Sequence, residues 1–239
     1  MASLQLAKKD LRQKVKRVLS ELAPETIATQ TQIVTKALLE LPEFQTAKKI
    51  SVYCSMPSGE ISTAPIVYES LAQGKKLFIP YTHRVTSPGP DQPKSVMDML
   101  SLKSKEDYES LGPDNWGIPT PSKDSIAERE DCLKELESLG SGSSYRGIDM
   151  IIMPGMAFDT TLKRLGHGKG FYDYYLQRYS NLCDQSKDIK MPVLVGIALK
   201  EQVLADRETI PTNETDWPLD KLIIGDGRVL HRESVTSSK

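Results

Sequence analysis

The sequence predicts an α/β fold, a single three-layer domain over residues 1–239 with a mostly parallel sheet and helices on both faces. Three observations lead there. Strand-like runs at 77–81, 150–153, 192–198 and 220–224 alternate with segments of helical spacing, the order of repeated strand–helix units. Met150 to Met153 is wholly apolar and stopped by Pro154-Gly155, and Pro192 to Ala198 is nearly continuous, as in a strand covered on both faces. The chain shows no internal repeat and no linker dividing two folding units.

Composition narrows the class of function. Hydrophobic residues make up 38% and charged residues 26% of the chain, the balance of a soluble globular protein. A formal net charge of −1 gives no strong field for nucleic acid or an anionic membrane. The three cysteines (Cys54, Cys132, Cys183) form no Cys-x-x-Cys pair, which points to a reducing compartment without structural zinc. No apolar run approaches the ~20 residues that cross a bilayer. The basic, amphipathic N-terminus resembles a mitochondrial presequence, but Asp10 and Glu21 interrupt it. The expectation is a cytoplasmic monomer, with a mitochondrial pool left open.

In chain order, Leu4, Leu11, Val15, Val18 and Leu22 define one apolar helical stripe, with Lys8 and Arg12 projecting together from one side. Pro24-Glu25 opens a second helix whose buried side is Ile27, Val34, Leu38 and Leu41. Lys49 to Cys54 reads as a strand running into the turn Met56-Pro57-Ser58-Gly59, and Glu60 then sits at the start of a helix through Gln73. Leu77 to Tyr81 is a short strand, residues 82–95 a loop, and Val96 to Leu102 another strand. Residues 122–147 combine a charged, helix-compatible run with Gly140-Ser141-Gly142-Ser143-Ser144, and are expected to form an exposed, mobile insertion without chemistry. Asp220 to Ile224 is the last long strand before Val229-Leu230, and the C-terminus at 233–239 is expected to fray.

The stretch with chemistry lies between the strand at 150–153 and a helix starting near Phe171. It reads Arg164-Leu165-Gly166-His167-Gly168-Lys169-Gly170-Phe171-Tyr172-Asp173. Glycines let backbone N–H groups approach an anion, and a helix start adds unpaired donors and the positive dipole end. Neither common phosphate fingerprint fits: Lys169 is followed by Gly170 rather than Ser or Thr, and the glycines fall at 166, 168 and 170. Asp173 supplies a hard oxygen that could take the metal-binding part of the missing hydroxyl. The alternative is a solvated surface turn. Arg164, Lys169 and Asp173 on the same short stretch favour phosphate.

Met153-Pro154-Gly155-Met156-Ala157-Phe158-Asp159, followed by Arg164 to Asp173, resembles the signature of the 5-formyltetrahydrofolate cyclo-ligase family. The resemblance extends over the chain but is specific only in this central motif. It implies that Lys8, Arg12, Arg164 and Lys169 act on ATP phosphates, together with Gly166, His167, Gly168, Gly170, Tyr172 and Asp173. It implies folate contacts at Cys54, Glu60, Trp116, Phe171 and Tyr172, and Mg²⁺ on Asp173 and Asp216. By residue type alone, Glu60 is also an ordinary helix-start acid, Trp116 a core or hinge aromatic and Asp216 a loop acid. Two departures stand out: His167 where Tyr or Arg is common, and Phe171 where Tyr is common.

The implied reaction is ATP- and Mg²⁺-dependent cyclisation of 5-formyltetrahydrofolate to 5,10-methenyltetrahydrofolate. Such chemistry asks for positioning and charge neutralisation rather than a protein nucleophile. No Ser-His-Asp or Cys-His arrangement competes. A second reading is a nucleotide-binding relative that has lost folate turnover, against which stand Lys8, Arg12 and Glu60 and the lack of an RNA-binding motif. A phosphosugar isomerase or CoA-transferase relative would need neither the paired bases nor Asp216.

Overall fold

In the computed structural model, which describes residues 2–89, 92–138 and 147–232, alternate strand residues enter two separate cores. Seven strands form the sheet: β1 (Lys49–Val52), β2 (Lys76–Arg84), β3 (Ser95–Leu102), β4 (Met150–Met153), β5 (Val193–Ala198), β6 (Lys221–Ile224) and β7 (Val229–His231). Their spatial order is β7-β6-β5-β4-β1-β2-β3. The five inner strands are parallel, and β3 and β7 close the edges in antiparallel pairing.

Because side chains alternate along a strand, Ile50, Val52, Ile152, Val195 and Ile197 face one way and Ile151, Met153, Leu194 and Leu222 the other. The first face is covered by helices α1 (Ala2–Ser20), α2 (Pro24–Leu39) and α3 (Ala64–Ala72), through Val15, Leu19, Val34, Leu38, Ile66 and Val67. The second is covered by α4 (Cys132–Glu137) and α5 (Phe171–Gln185), through Leu133, Leu136, Tyr175, Leu176 and Tyr179. The architecture is the single three-layer α/β domain that the sequence predicts.

Strand order places the site. From β1 the chain adds β2 and β3 on one side, then returns to add β4, β5 and β6 on the other. That reversal opens a crevice beyond the carboxyl ends of β1 and β4, where open α/β sheets bind ligands. Residues 53–63 leave β1 there, and the Gly-rich stretch leaves β4 there.

Several local expectations are corrected. The strand expected at 77–81 continues to Arg84, because β3 pairs with it as far as Arg84↔Ser95. The helix expected from Glu60 begins at Ala64, with Pro65 in its first turn, where no N–H is needed. On α1, Leu19 is buried while Val18 at the rim is 39% exposed.

The insertion at 122–147 is not a bare excursion where it is described. Cys132, Leu133 and Leu136 are buried in the second core. Arg129 Nη1 donates to Ser101 O and to Asp107 Oδ2, each at 2.8 Å. Residues 139–146, including the Gly-Ser run, and the C-terminus at 233–239 lie outside the described residues.

Candidate functional site

The Gly-rich loop is fixed at both ends. Arg164–Leu165 pairs antiparallel with Ala157–Phe158, making a small hairpin after β4. Its turn is organised by Asp159, which is fully buried. Asp159 Oδ1 accepts hydrogen bonds from Thr161 N (2.9 Å), Thr161 Oγ1 (2.7 Å) and Lys163 N (3.1 Å). Its Oδ2 accepts from Ile210 N at 2.8 Å, tying the hairpin to the segment that leads to Asp216. At the far end Gly170, with φ 68, caps the start of α5. Gly168 has φ +94, a left-handed conformation that favours glycine, and a Cβ there would lie 3.2 Å from Arg12 Cζ.

Helix α1 lies against this loop. Arg12 Nε donates to Gly166 O at 2.8 Å, and Lys8 Nζ pairs with Asp216 Oδ2 at 2.6 Å. Burial lowers the Arg12 guanidinium from its ordinary value, with Asp216 opposing. Arg164 Nη2 donates to Asp173 Oδ1 at 3.2 Å, and Trp217 N donates to the same oxygen at 3.2 Å. Asp173 is therefore bonded to the residue next to Asp216, and α1, the loop, α5 and the 210–217 segment meet at one place. Lys169 is exposed on the loop, as is His167.

The other half of the crevice comes from the β1 loop. Cys54 and Glu60 are both buried, and Glu60 Oε1 accepts from Met56 N at 3.0 Å. Burial pushes the Glu60 carboxyl up to about 7 and the Cys54 thiol up to about 12. The Tyr172 hydroxyl is buried without a hydrogen-bond partner among the described residues, and its ring lies 5.5 Å from Arg164 Cζ. Burial raises Tyr172 far above its ordinary value, opposed by Arg164 and reinforced by Cys54 and Glu60, all within electrostatic reach. Phe171 is half-buried beside it.

Trp116 is 72% exposed, which removes its reading as a core aromatic. Its loop abuts the β1 turn: a Cβ on Gly117 would stand 2.7 Å from Pro57 Cγ. Glu60 does not sit in the first turn of α3, so the helix-start reading falls as well.

Sequence reasoning missed Gln202 and Gln30. Gln202 Nε2 donates to Gly155 O at 2.6 Å, holding the turn after β4 from below. Gln30 Oε1 accepts from Lys200 N at 2.8 Å and brings α2 to the same support. The signal was available at Gln30, a buried polar residue on the apolar side of a helix.

Among the described residues no cluster of three or more His, Cys, Asp or Glu side chains is arranged to hold a metal alone. Mg²⁺ is commonly bound by one or two carboxylates plus phosphate oxygens and water; the carboxylates present here, Asp173 and Asp216, are paired with Arg164 and Lys8. No described helix is long and apolar enough to cross a membrane.

A model of the 5-formyltetrahydrofolate cyclo-ligase family matches residues 5–225. The chain is 34% identical over 223 residues to a probable 5-formyltetrahydrofolate cyclo-ligase of Schizosaccharomyces pombe, covering 92% of this chain and 96% of that one. It is 33% identical to the mouse 5-formyltetrahydrofolate cyclo-ligase, covering 92% and 94%. The fold matches the 5,10-methenyltetrahydrofolate synthetase of Aquifex aeolicus with a TM-score of 0.66 and 27% identity, over 97% of this chain and 96% of the other. The motif after β4 and the bases of α1 thus occur in a chain matched almost end to end, and the protein belongs to the 5-formyltetrahydrofolate cyclo-ligase family.

Proposed function

We propose that the chain closes 5-formyltetrahydrofolate to 5,10-methenyltetrahydrofolate with MgATP, releasing ADP and phosphate. The observation that supports it most is the meeting of two half-sites at the strand-order reversal. One half is cationic and glycine-rich; the other is enclosed and carries Glu60, Cys54 and Tyr172.

The chemistry explains why both halves are needed. A formamide oxygen is a poor leaving group. Moving the γ-phosphoryl of ATP onto it forms a P–O bond and leaves ADP. Attack of N10 on the formyl carbon then forms the C–N bond, the C–O bond breaks, phosphate departs and the N10 proton is lost. Lys8, Arg12, Arg164, Lys169 and the amides at Gly166 to Gly170 bind and neutralise the phosphates in this reading. Asp173 and Asp216 would hold Mg²⁺, which neutralises charge on the transferring group when bound. Lys8 can then turn from Asp216 to a phosphate oxygen.

On the folate side, Glu60 accepts from donors of the pterin. Cys54, Trp116, Phe171 and Tyr172 supply surface against which the rings stack. The protein acts as a monomer in the cytoplasm in this reading, on small molecules alone.

The methenyl product absorbs in the near ultraviolet where the substrate does not. Purified protein with MgATP and 5-formyltetrahydrofolate should develop that absorbance, with ADP formed only when folate is present. ATP binding with no absorbance change would leave a nucleotide-binding module; folate-independent ADP formation would leave an ordinary ATPase.

A further inference from the structure

His167 sits in the Gly-rich loop, and a guanidinium group meets the loop backbone at the glycine on each side of it. On one side Arg12 Nε binds Gly166 O at 2.8 Å, and Arg12 Cζ would lie 3.2 Å from a Cβ on Gly168. On the other, Arg164 Nη1 would lie 2.9 Å from a Cβ on Gly166. The nearby carboxylates are turned to other cations: Asp216 to Lys8 and Asp173 to Arg164. No described carboxylate bonds to the imidazole, and Lys169 stands exposed two positions on.

The imidazole keeps part of its surface in solvent. Even so, packing of the loop around it, then the charges of Arg164 and Arg12, hold it below its ordinary value. In the ligand-free protein it is therefore a neutral group in a cationic loop. A bound triphosphate reverses the sign of the local field, since its negative charges outweigh the two guanidiniums, and protonation becomes favourable.

We propose that polyphosphate binding at this loop is coupled to uptake of a proton by His167, which makes the chain's affinity for ATP depend on pH. The inference rests on the reading of the loop as the ATP-phosphate site. An arginine at 167 would carry its charge at every pH, whereas the histidine supplies it only while it can be protonated. Affinity is then highest at acid pH. It falls as pH rises through the imidazole's value in the complex, by up to about tenfold for each unit by which the bound anion raises that value.

The test is calorimetric titration of MgATP without folate, between pH 6 and 8.5, in buffers of different ionisation enthalpy. The wild type, His167→Gln, His167→Arg and Arg12→Gln are compared. Proton exchange by the phosphate itself is common to all four proteins and subtracts out. The expected result is extra proton uptake in the wild type alone among the first three, with His167→Arg binding tightly across the range and His167→Gln weakly. Equal proton uptake in the wild type and His167→Gln overturns the inference, as does the same pH slope in His167→Arg. If Arg12→Gln also binds ATP unchanged, the loop reading fails with it. If Arg12→Gln binds weakly while proton uptake is equal, only the role of His167 fails.

Discussion

Lys8 Nζ lies 2.6 Å from Asp216 Oδ2, an ion pair that fastens the N-terminal helix to the segment before β6 across 208 positions of chain. The lysine side chain is 8% exposed and the carboxylate 20%, so the ammonium is buried while the carboxylate keeps some contact with water. Asp216 Oδ2 also accepts from Asn213 N at 2.8 Å. By residue type Asp216 is a plain loop acid; in the fold it is held by the Lys8 contact to the N-terminal helix.

Asp216→Asn is expected to lose both MgATP chemistry and stability. Removing the carboxylate leaves the Lys8 ammonium uncompensated; since the pair is only partly buried, the cost is on the order of 1–2 kcal/mol, below that of a fully buried pair. Lys8→Met combined with Asp216→Asn should recover much of that stability in denaturant unfolding, because no lone charge remains. It should recover none of the turnover. Normal MgATP turnover in Asp216→Asn would remove the residue from the phosphate site, and a double variant no more stable than the single would show that the pair is not coupled.

Asp159→Asn should destabilise the protein. Both carboxylate oxygens accept hydrogen bonds, three at Oδ1 and one at Oδ2. An amide must turn its NH₂ toward donors on one side or the other, leaving at least one buried N–H unpaired at a cost of about 1–3 kcal/mol. The expected readout is a lower unfolding midpoint, with MgATP affinity falling in step as the Ile210 tether loosens. An unchanged midpoint would show that the turn does not depend on this carboxylate.

These two aspartates mark what the sequence could and could not show. The Gly-rich loop was legible because its residues are contiguous, and β4 because four apolar residues ended in Pro-Gly cannot sit comfortably in solvent. Contacts made across the fold were not legible. Nothing beside Asp216 announces its pairing with Lys8, and only the family resemblance, not the local sequence, groups Glu60 with Cys54 and Tyr172. The 122–138 segment was misread for a different reason. Arg129 and Asp107 look like solvated charges in sequence, yet they bind each other with Arg129 9% exposed. The apolar spacing of Cys132, Leu133 and Leu136 was the available signal.

That segment yields a test. Deleting residues 124–144 removes α4 from the second core and uncovers the β3 face on which it packs. The deleted protein is expected to be strongly destabilised or insoluble. Leu136→Ala, a gentler change, should cost about 2–4 kcal/mol in unfolding, as other large-to-small core changes do. A deletion variant as stable as the parent would show the segment to be dispensable.

Glu60 separates stability from function by pH. Its carboxyl is pushed up from 4.5 to about 7 by burial, so the folded protein holds a proton that the unfolded chain releases. The folded state then binds more protons than the unfolded state between those two values, and stability falls as pH rises through that window. Above pH 7 the full cost is present, on the order of 3 kcal/mol, while below pH 4.5 it is absent. Glu60→Gln keeps the side-chain oxygen that accepts from Met56 N and removes the charge, so it should unfold later than the wild type at pH 8 and alike at pH 4. If the buried carboxylate is retained to accept from the pterin, the same variant should raise the KM for folate while leaving that for MgATP unchanged. A Gln variant with no gain at pH 8 would refute the burial argument. One with the gain and an unaltered folate KM would remove Glu60 from the substrate site.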